Sequence, residues 1–151
     1  MALVENEILI DGPTDKVFDA VTTTETWPRW HPATIAVGGV TDRPIQLGDR
    51  IYEKARIGNQ EYEGEWTVVE HVRPSRVVIQ VMGMDTRISY TFTAIDPSKT
   101  RFVRGLEFDP VAFAGSAANA PAVEKLMYEQ SQTALQNLKN LVEESLEARQ
   151  G

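Results

Sequence analysis

The sequence contains no cysteine and only two histidines. The missing cysteines exclude disulfide bonds, thiolate metal sites and cysteine nucleophiles. His31 and His71 are far apart in the chain, so a histidine-rich metal site is not expected, and no metal or other cofactor is predicted. A glycine-rich nucleotide loop and a Ser-His-Asp signature are also missing.

Positive charge is scarce as well. The chain has 15 lysines and arginines against 22 aspartates and glutamates, which gives a net charge of −7 at pH 7. This balance argues against nucleic acid and anionic membrane surfaces as partners. Long hydrophobic runs and a basic, apolar leader are not seen, so we expect no transmembrane segment and a cytoplasmic protein. A second copy of the chain, in a homodimer, is kept as one alternative for a protein partner.

The 151 residues are 42% hydrophobic, which suits one domain spanning residues 1–151 around a single core. The C-terminal region has neither glycine nor proline between Pro121 and the last residue. Its apolar residues recur at helical spacing, as at Val123, Met127, Ala134 and Leu138. This pattern predicts one long amphipathic helix from about Pro121 to Glu147.

Short alternating segments separated by turn residues precede this helix, and they predict seven β-strands and two short helices. The predicted strands are Leu3–Asp11, Thr34–Val40, Arg50–Ile57, Gln60–His71, Arg76–Met82, Thr86–Ile95 and Thr100–Phe108; the short helices are Asp15–Val21 and Glu25–Trp30. Strands joined by short turns pair antiparallel. The fold class is therefore α+β, with the long helix lying across the sheet to bury its apolar face.

Several local motifs accompany this order of elements. They are Ile8–Pro13, Val17–Val21, Glu25–Pro32, Leu47–Arg50, Trp66–Glu70, Arg73–Val77, Tyr90–Phe92 and Thr100–Phe102. In both order and motifs the chain resembles the START-like, or SRPBCC, superfamily, and within it the polyketide cyclase/dehydrase-like and lipid-transport branch. The resemblance implies a helix-grip fold, in which a curved antiparallel sheet of about seven strands surrounds the C-terminal helix. It also implies an internal cavity for a small hydrophobic molecule.

Two predicted strands carry a charged residue on an otherwise apolar face. Glu53 alternates in step with Ile51 and Ile57, and Arg104 alternates in step with Phe102 and other apolar residues. A buried guanidinium needs a carboxylate or a bound anion. If these apolar faces point inward, Glu53 and Arg104 reach the cavity and can pair, and they are the candidate catalytic residues. Which face of Arg50–Ile57 and of Thr100–Phe108 lines the cavity stays open, since a bulge in the last strand would turn Arg104 outward. A structural ion pair is the alternative interpretation.

The remaining candidates are aromatic, thioether and polar side chains expected to line the cavity. Gln130 and Ser131 stand out because they interrupt the apolar stripe of the long helix, where polar groups need partners. Trp30 and His31 either plug one end of the core or rim the cavity mouth. The predicted ligand-binding residues are Trp30, Tyr62, Trp66, Met82, Tyr90, Phe92, Phe108, Met127, Gln130 and Ser131.

These residues predict binding of a small hydrophobic or aromatic molecule in a cavity of roughly 300–1,000 Å³. The resemblance adds an enzymatic version, a polyketide cyclase/dehydratase-like reaction. In that version a base removes a proton next to a carbonyl, while Arg104 or a tyrosine polarises the oxygen. A non-catalytic lipid or small-molecule carrier and a protein-interaction module remain as alternatives.

Overall fold

Seven antiparallel strands form a single sheet in the computed structural model, which describes residues 1–150. The strands are β1 (Ala2–Ile10), β2 (Thr34–Gly39), β3 (Arg50–Ile57), β4 (Gln60–Val72), β5 (Arg76–Val81), β6 (Arg87–Asp96) and β7 (Lys99–Phe108). Their order across the sheet is β1-β7-β6-β5-β4-β3-β2. From β2 to β7, consecutive strands are therefore neighbours, and β1 closes the series beside β7. The predicted α+β helix-grip fold is confirmed.

The helices are α1 (Thr14–Thr22), α2 (Trp27–Trp30), α3 (Pro110–Ala114) and α4 (Ala120–Gln150), with one 3₁₀ turn at Thr24–Thr26. The two short helices after β1 and the long C-terminal helix are as predicted. Helix α3 was not predicted, because Asp109-Pro110 was interpreted only as the end of the sheet. No helix within residues 1–150 has the length and apolar character needed to cross a membrane.

Helix α4 packs on the sheet through the apolar face that its sequence predicts. From Met127 onward its buried residues lie along one face of the helix; they are Met127, Ser131, Ala134, Leu135, Leu138 and Val142. Leu138, near the middle of this face, is completely buried. The packing fixes which part of α4 faces the inner surface of the sheet, and it places Met127, Gln130 and Ser131 in the half that reaches the cavity.

An aromatic cluster fills the end of the core beneath α1. The Phe18 and Phe92 rings lie 5.1 Å apart in an edge-to-face arrangement, and the Phe92 and Phe102 rings are also 5.1 Å apart. These rings bury large areas of apolar surface at this end of the core. A cavity lies instead near α3 and the first half of α4.

Candidate functional site

A cavity of about 190 Å³ lies between the inner face of the sheet, α3 and the first half of α4. Its lining is mostly apolar, with the side chains of Glu53, Arg104 and Gln130 among the polar exceptions. The predicted range of 300–1,000 Å³ is too large for this cavity. Bulky side chains from three different elements, Trp66, Phe113 and Met127, converge on the space and reduce it.

Glu53 reaches the cavity from β3 and is held by two neighbouring strands. Its Oε2 accepts a hydrogen bond from the Thr34 hydroxyl at 2.6 Å, and its Oε1 accepts one from the Trp66 indole N–H at 3.0 Å. The ion pairs found among residues 1–150 do not join Glu53 to Arg104. The predicted direct pair is therefore wrong: neutral donors, not the guanidinium, hold this carboxylate.

Arg104 projects inward from β7, as the parity of that strand predicts, and is only 6% exposed. Its Nη1 donates a hydrogen bond to Ser131 Oγ on α4 at 3.2 Å, whereas its buried Nε has no partner. The cross-strand neighbours of Arg104 are Asn6 on β1 and Tyr90 on β6. Neither neighbour is a carboxylate, and none of the ion pairs among residues 1–150 includes Arg104, so its positive charge lies in the cavity wall without an ion-pair partner in this part of the chain.

Two further titratable side chains surround this guanidinium. Burial raises the pKa of the Tyr90 hydroxyl to about 12, although the nearby Arg104 charge opposes the rise. Burial, assisted by the Arg104 charge, holds the pKa of His31 well below 6.5. At pH 7 the tyrosine is therefore protonated and the imidazole is neutral.

The neutral imidazole of His31 has a defined role for each nitrogen. Its Nδ1 accepts a hydrogen bond from the Ala33 backbone N–H at 3.1 Å. We therefore assign the ring proton to Nε2, which makes that nitrogen a hydrogen-bond donor. Because His31 lines the cavity together with Arg104, the site combines a charged donor and a neutral donor.

Helix α3 closes one side of the cavity. Phe113 on this helix stacks near Tyr62 on β4, with ring centroids 5.1 Å apart, and the Tyr62 hydroxyl donates a hydrogen bond to the Phe113 carbonyl at 3.0 Å. At the start of α3, the Asp109 carboxylate accepts hydrogen bonds from the N–H groups of Val111 and Ala112. The cap thus sets the position of a helix that forms part of the cavity wall.

Asp109→Ala is expected to lower the free energy of unfolding by about 1 kcal/mol, because two backbone donors lose their acceptor. For a chain of this length the melting temperature should fall by about 2–4 °C. Asp109→Asn retains a capping oxygen and should stay close to the wild type. Differential scanning calorimetry of the three proteins measures this, and equal losses in both variants would contradict a capping role.

Half of the predicted site residues contribute to the lining of the cavity. They are Glu53, Tyr62, Trp66, Arg104, Met127 and Gln130. The alternation along β4 and the helical spacing of α4 oriented Tyr62, Trp66, Met127 and Gln130, whereas the inner faces of β3 and β7 had been left open. Their roles in binding or catalysis stay predictions.

Four predicted lining residues are buried elsewhere in the core. Trp30 is 1% exposed, and its carbonyl accepts a hydrogen bond from Asn137 of α4, so it plugs the contact between α2 and α4. Phe92 belongs to the aromatic cluster beneath α1, and Phe108 packs edge-to-face behind Phe113. Tyr90 is a buried neighbour of Arg104. A side chain that is buried in the core therefore does not necessarily line the cavity.

Met82 and Ser131 also lie outside the lining. Met82 is 55% exposed, because Val81 pairs with Trp66 across β5 and β4 and takes the inner face, which turns the next side chain outward. Ser131 is fully buried and supports the cavity indirectly, as the acceptor for Arg104.

His31, Phe113 and Met84 line the cavity but were not among the predicted site residues. A signal for Phe113 existed, because Asp followed by Pro is a common start of a helix. The sequence Asp109-Pro110 therefore favoured a short helix that carries an aromatic residue back toward the sheet. For Met84, in the turn between β5 and β6, no local pattern pointed to the cavity. Among residues 1–150, no group of three or more acidic or histidine side chains is arranged to hold a metal ion.

The chain is similar to known proteins both in sequence and in structure. A family model described as "Polyketide cyclase / dehydrase and lipid transport" matches residues 1–143. Penitrem biosynthesis cluster 1 protein I of Penicillium ochrochloron is 31% identical over 108 residues, which cover 65% of this chain and 70% of that relative.

Two solved structures are similar over nearly their whole length. A START superfamily protein from Mycobacterium smegmatis matches with a TM-score of 0.74 and 15% identity, covering 94% of this chain and 97% of the other. The Zhui aromatase/cyclase from Streptomyces sp. R1128 matches with a TM-score of 0.72 and 12% identity, covering 96% and 95%. At such identities these similarities concern the fold alone.

Proposed function

Because the chain belongs to the polyketide cyclase/dehydrase and lipid transport family, we propose that its cavity binds a small, mainly apolar carbonyl compound and promotes enolisation of that compound. One observation carries the proposal. A hydrogen-bonded carboxylate, Glu53, and a buried guanidinium without a counterion, Arg104, line the same apolar cavity. A base and an oxyanion stabiliser are the two groups that proton removal next to a carbonyl requires.

In the proposed step the Glu53 carboxylate removes a proton from the carbon next to the carbonyl. The C–H bond breaks and its proton moves to a Glu53 oxygen; the C–H electron pair forms the new C=C bond, and the π pair of the C=O bond moves onto the carbonyl oxygen. Arg104 stabilises the enolate charge on that oxygen, and the Nε2–H of His31 is available as a second donor. Thr34 and Trp66 hold the carboxylate in place, which reduces the entropic cost of reaching the reactive geometry.

A carrier without catalysis is the second candidate. Both oxygens of Glu53 already accept a hydrogen bond, from Thr34 and from Trp66. In a carrier these bonds would simply satisfy a carboxylate in the cavity wall, and Arg104 would orient the cargo. Lipid transport is part of the description of the family.

Exchange of the α-protons of acetophenone in D₂O, followed by NMR, distinguishes the two functions. We expect the wild-type protein to accelerate the exchange, with Glu53→Gln losing about 100-fold or more of that rate. Arg104→Met should lose about 100-fold because the enolate is no longer stabilised. Acetophenone binding, measured in parallel by ligand-observed NMR, should change little in Glu53→Gln.

Glu61→Gln is the matched control, since Glu61 is an exposed carboxylate on the neighbouring strand and forms ion pairs outside the cavity. It should exchange acetophenone at the wild-type rate. Binding by the wild type without faster exchange would refute enolisation of this ketone and favour the carrier. Absence of binding would refute both functions for a carbonyl compound of this size.

A further inference from the structure

We propose that the occupant of this cavity is a single-ring organic anion, with its carboxylate or other oxyanion against Arg104 and its ring between the apolar walls. The proposal rests on the binding function proposed above and narrows the class of ligand in size and in charge. Each of these two restrictions comes from a separate observation.

The size restriction follows from the volume and the walls. An apolar cavity of about 150 Å³ is known to accommodate one benzene molecule. The cavity here, at about 190 Å³, therefore has room for one six-membered ring and a small polar group. Trp66, Met127 and Phe113 bound the space, and the Tyr62–Phe113 hydrogen bond fixes the side formed by α3. A second fused ring would have to displace one of these side chains or extend out of the cavity into solvent.

The charge restriction follows from a difference between Glu53 and Arg104 in how far protein groups satisfy their hydrogen-bonding capacity. Glu53 accepts two hydrogen bonds from protein donors. Arg104 carries five N–H donors, yet its hydrogen bond to Ser131 is directed to a neutral oxygen, and its buried Nε has no acceptor. A buried guanidinium in this condition is best complemented by a planar oxyanion, which can accept two parallel N–H bonds.

His31 strengthens the preference for an oxyanion without adding a positive charge. Its imidazole lines the cavity with Nδ1 occupied by the Ala33 N–H, which leaves Nε2–H as the donor. The groups near an anion at Arg104 would thus be the guanidinium, the neutral imidazole and the Tyr90 hydroxyl, with Glu53 as the nearby negative charge. The hydrogen bonds from Trp66 and Thr34 stabilise that carboxylate, and its negative charge favours a ligand whose oxyanion points away from it, toward Arg104.

The test compares benzoate with benzamide, two molecules of nearly the same shape that differ in charge, by isothermal titration calorimetry at pH 7. For the wild type we expect benzoate to bind at least about tenfold more tightly, because its hydrogen bonds to Arg104 are assisted by charge on both sides. In Arg104→Gln the ratio of the benzamide Kd to the benzoate Kd should fall to about one. Arg101→Gln removes an exposed arginine of the same strand and should preserve the wild-type ratio.

Two further variants test the location and the size. Gly64 lines the cavity, and a Cβ at this position would lie 3.9 Å from Val81, an ordinary contact distance, so Gly64→Val should fold and weaken benzoate binding by filling space. 2-Naphthoate should bind the wild type about tenfold more weakly than benzoate. Phe113→Ala should remove most of that difference by opening the wall.

The outcomes separate this proposal from the function on which it rests. Equal affinity for benzoate and benzamide would overturn the anionic ligand while leaving a cavity that binds small rings. Equal affinity of the wild type for benzoate and 2-naphthoate would overturn the size limit. Benzoate binding that is insensitive to both Arg104→Gln and Gly64→Val would place the ligand elsewhere, and no binding of either probe would remove the binding function itself.

Discussion

Leu138→Asp is expected to abolish most of the stability of the protein. Leu138 is completely buried at the centre of the α4 face that packs against the sheet. The substitution removes a buried aliphatic side chain, at about 2–5 kcal/mol, and places a carboxylate there without a partner, which adds several kcal/mol. Domains of this size unfold at a cost of only about 5–15 kcal/mol in total. Urea denaturation followed by circular dichroism measures the change.

Two comparison variants make this result interpretable. Leu138→Ala should lose about 2–5 kcal/mol and remain folded, so it gives a value if the aspartate variant does not fold. Glu144→Lys, at an exposed position of the same helix, should stay within about 0.5 kcal/mol of the wild type. Glu143 is unsuitable as a control because it accepts a hydrogen bond from the Asp11 N–H and pairs with Lys139. A stable Leu138→Asp variant would show that α4 does not pack through this face.

Strand periodicity predicted that Glu53 and Arg104 share a face with apolar residues, but it left open which face of β3 and of β7 points inward. A residue two positions from a buried neighbour lies on the same face, so Ile51 orients Glu53, and Phe102 orients Arg104. The helical stripe of α4 is equally regular, and it placed Met127 and Gln130 in the cavity wall. Such local rules predict the strands and helices and which residues share a face of each.

The partners of the charged residues were not predictable in the same way. Thr34, which holds one oxygen of Glu53, lies beside a shift in the register between β2 and β3, and a register shift changes which side chains meet. Ser131 meets Arg104 only because of where α4 crosses β7. The volume of the cavity likewise depends on how far side chains of distant elements, such as Phe113 and Trp66, extend toward each other. These are non-local distances that periodicity does not encode.

The guanidinium of Arg104 is buried without an ion-pair partner among residues 1–150, which implies that it lowers the stability of the protein. Arg104→Met is accordingly expected to raise the free energy of unfolding by about 1–4 kcal/mol, by analogy with the range found when a buried ion pair or triad is replaced by apolar residues of similar size. The melting temperature should rise by about 2–4 °C for each kcal/mol. Glu53 keeps its hydrogen bonds from Thr34 and Trp66 in this variant, and the Ser131 hydroxyl can turn to a backbone carbonyl of its own helix.

Arg101→Met supplies the matched control, since its guanidinium is exposed and makes only a long contact of 3.9 Å with Glu7; it should change stability by no more than about 0.5 kcal/mol. A saturating ligand that binds through Arg104 should shift the stability difference between the wild type and Arg104→Met toward the wild type by about 2.7 kcal/mol, because ligand at 100 times its Kd stabilises the wild type alone by that amount. A less stable Arg104→Met variant without ligand would mean that Ser131 and the surrounding dipoles already compensate the charge. In that event Arg104 would be a structural residue, and the argument for an oxyanion in the cavity would lose its physical basis.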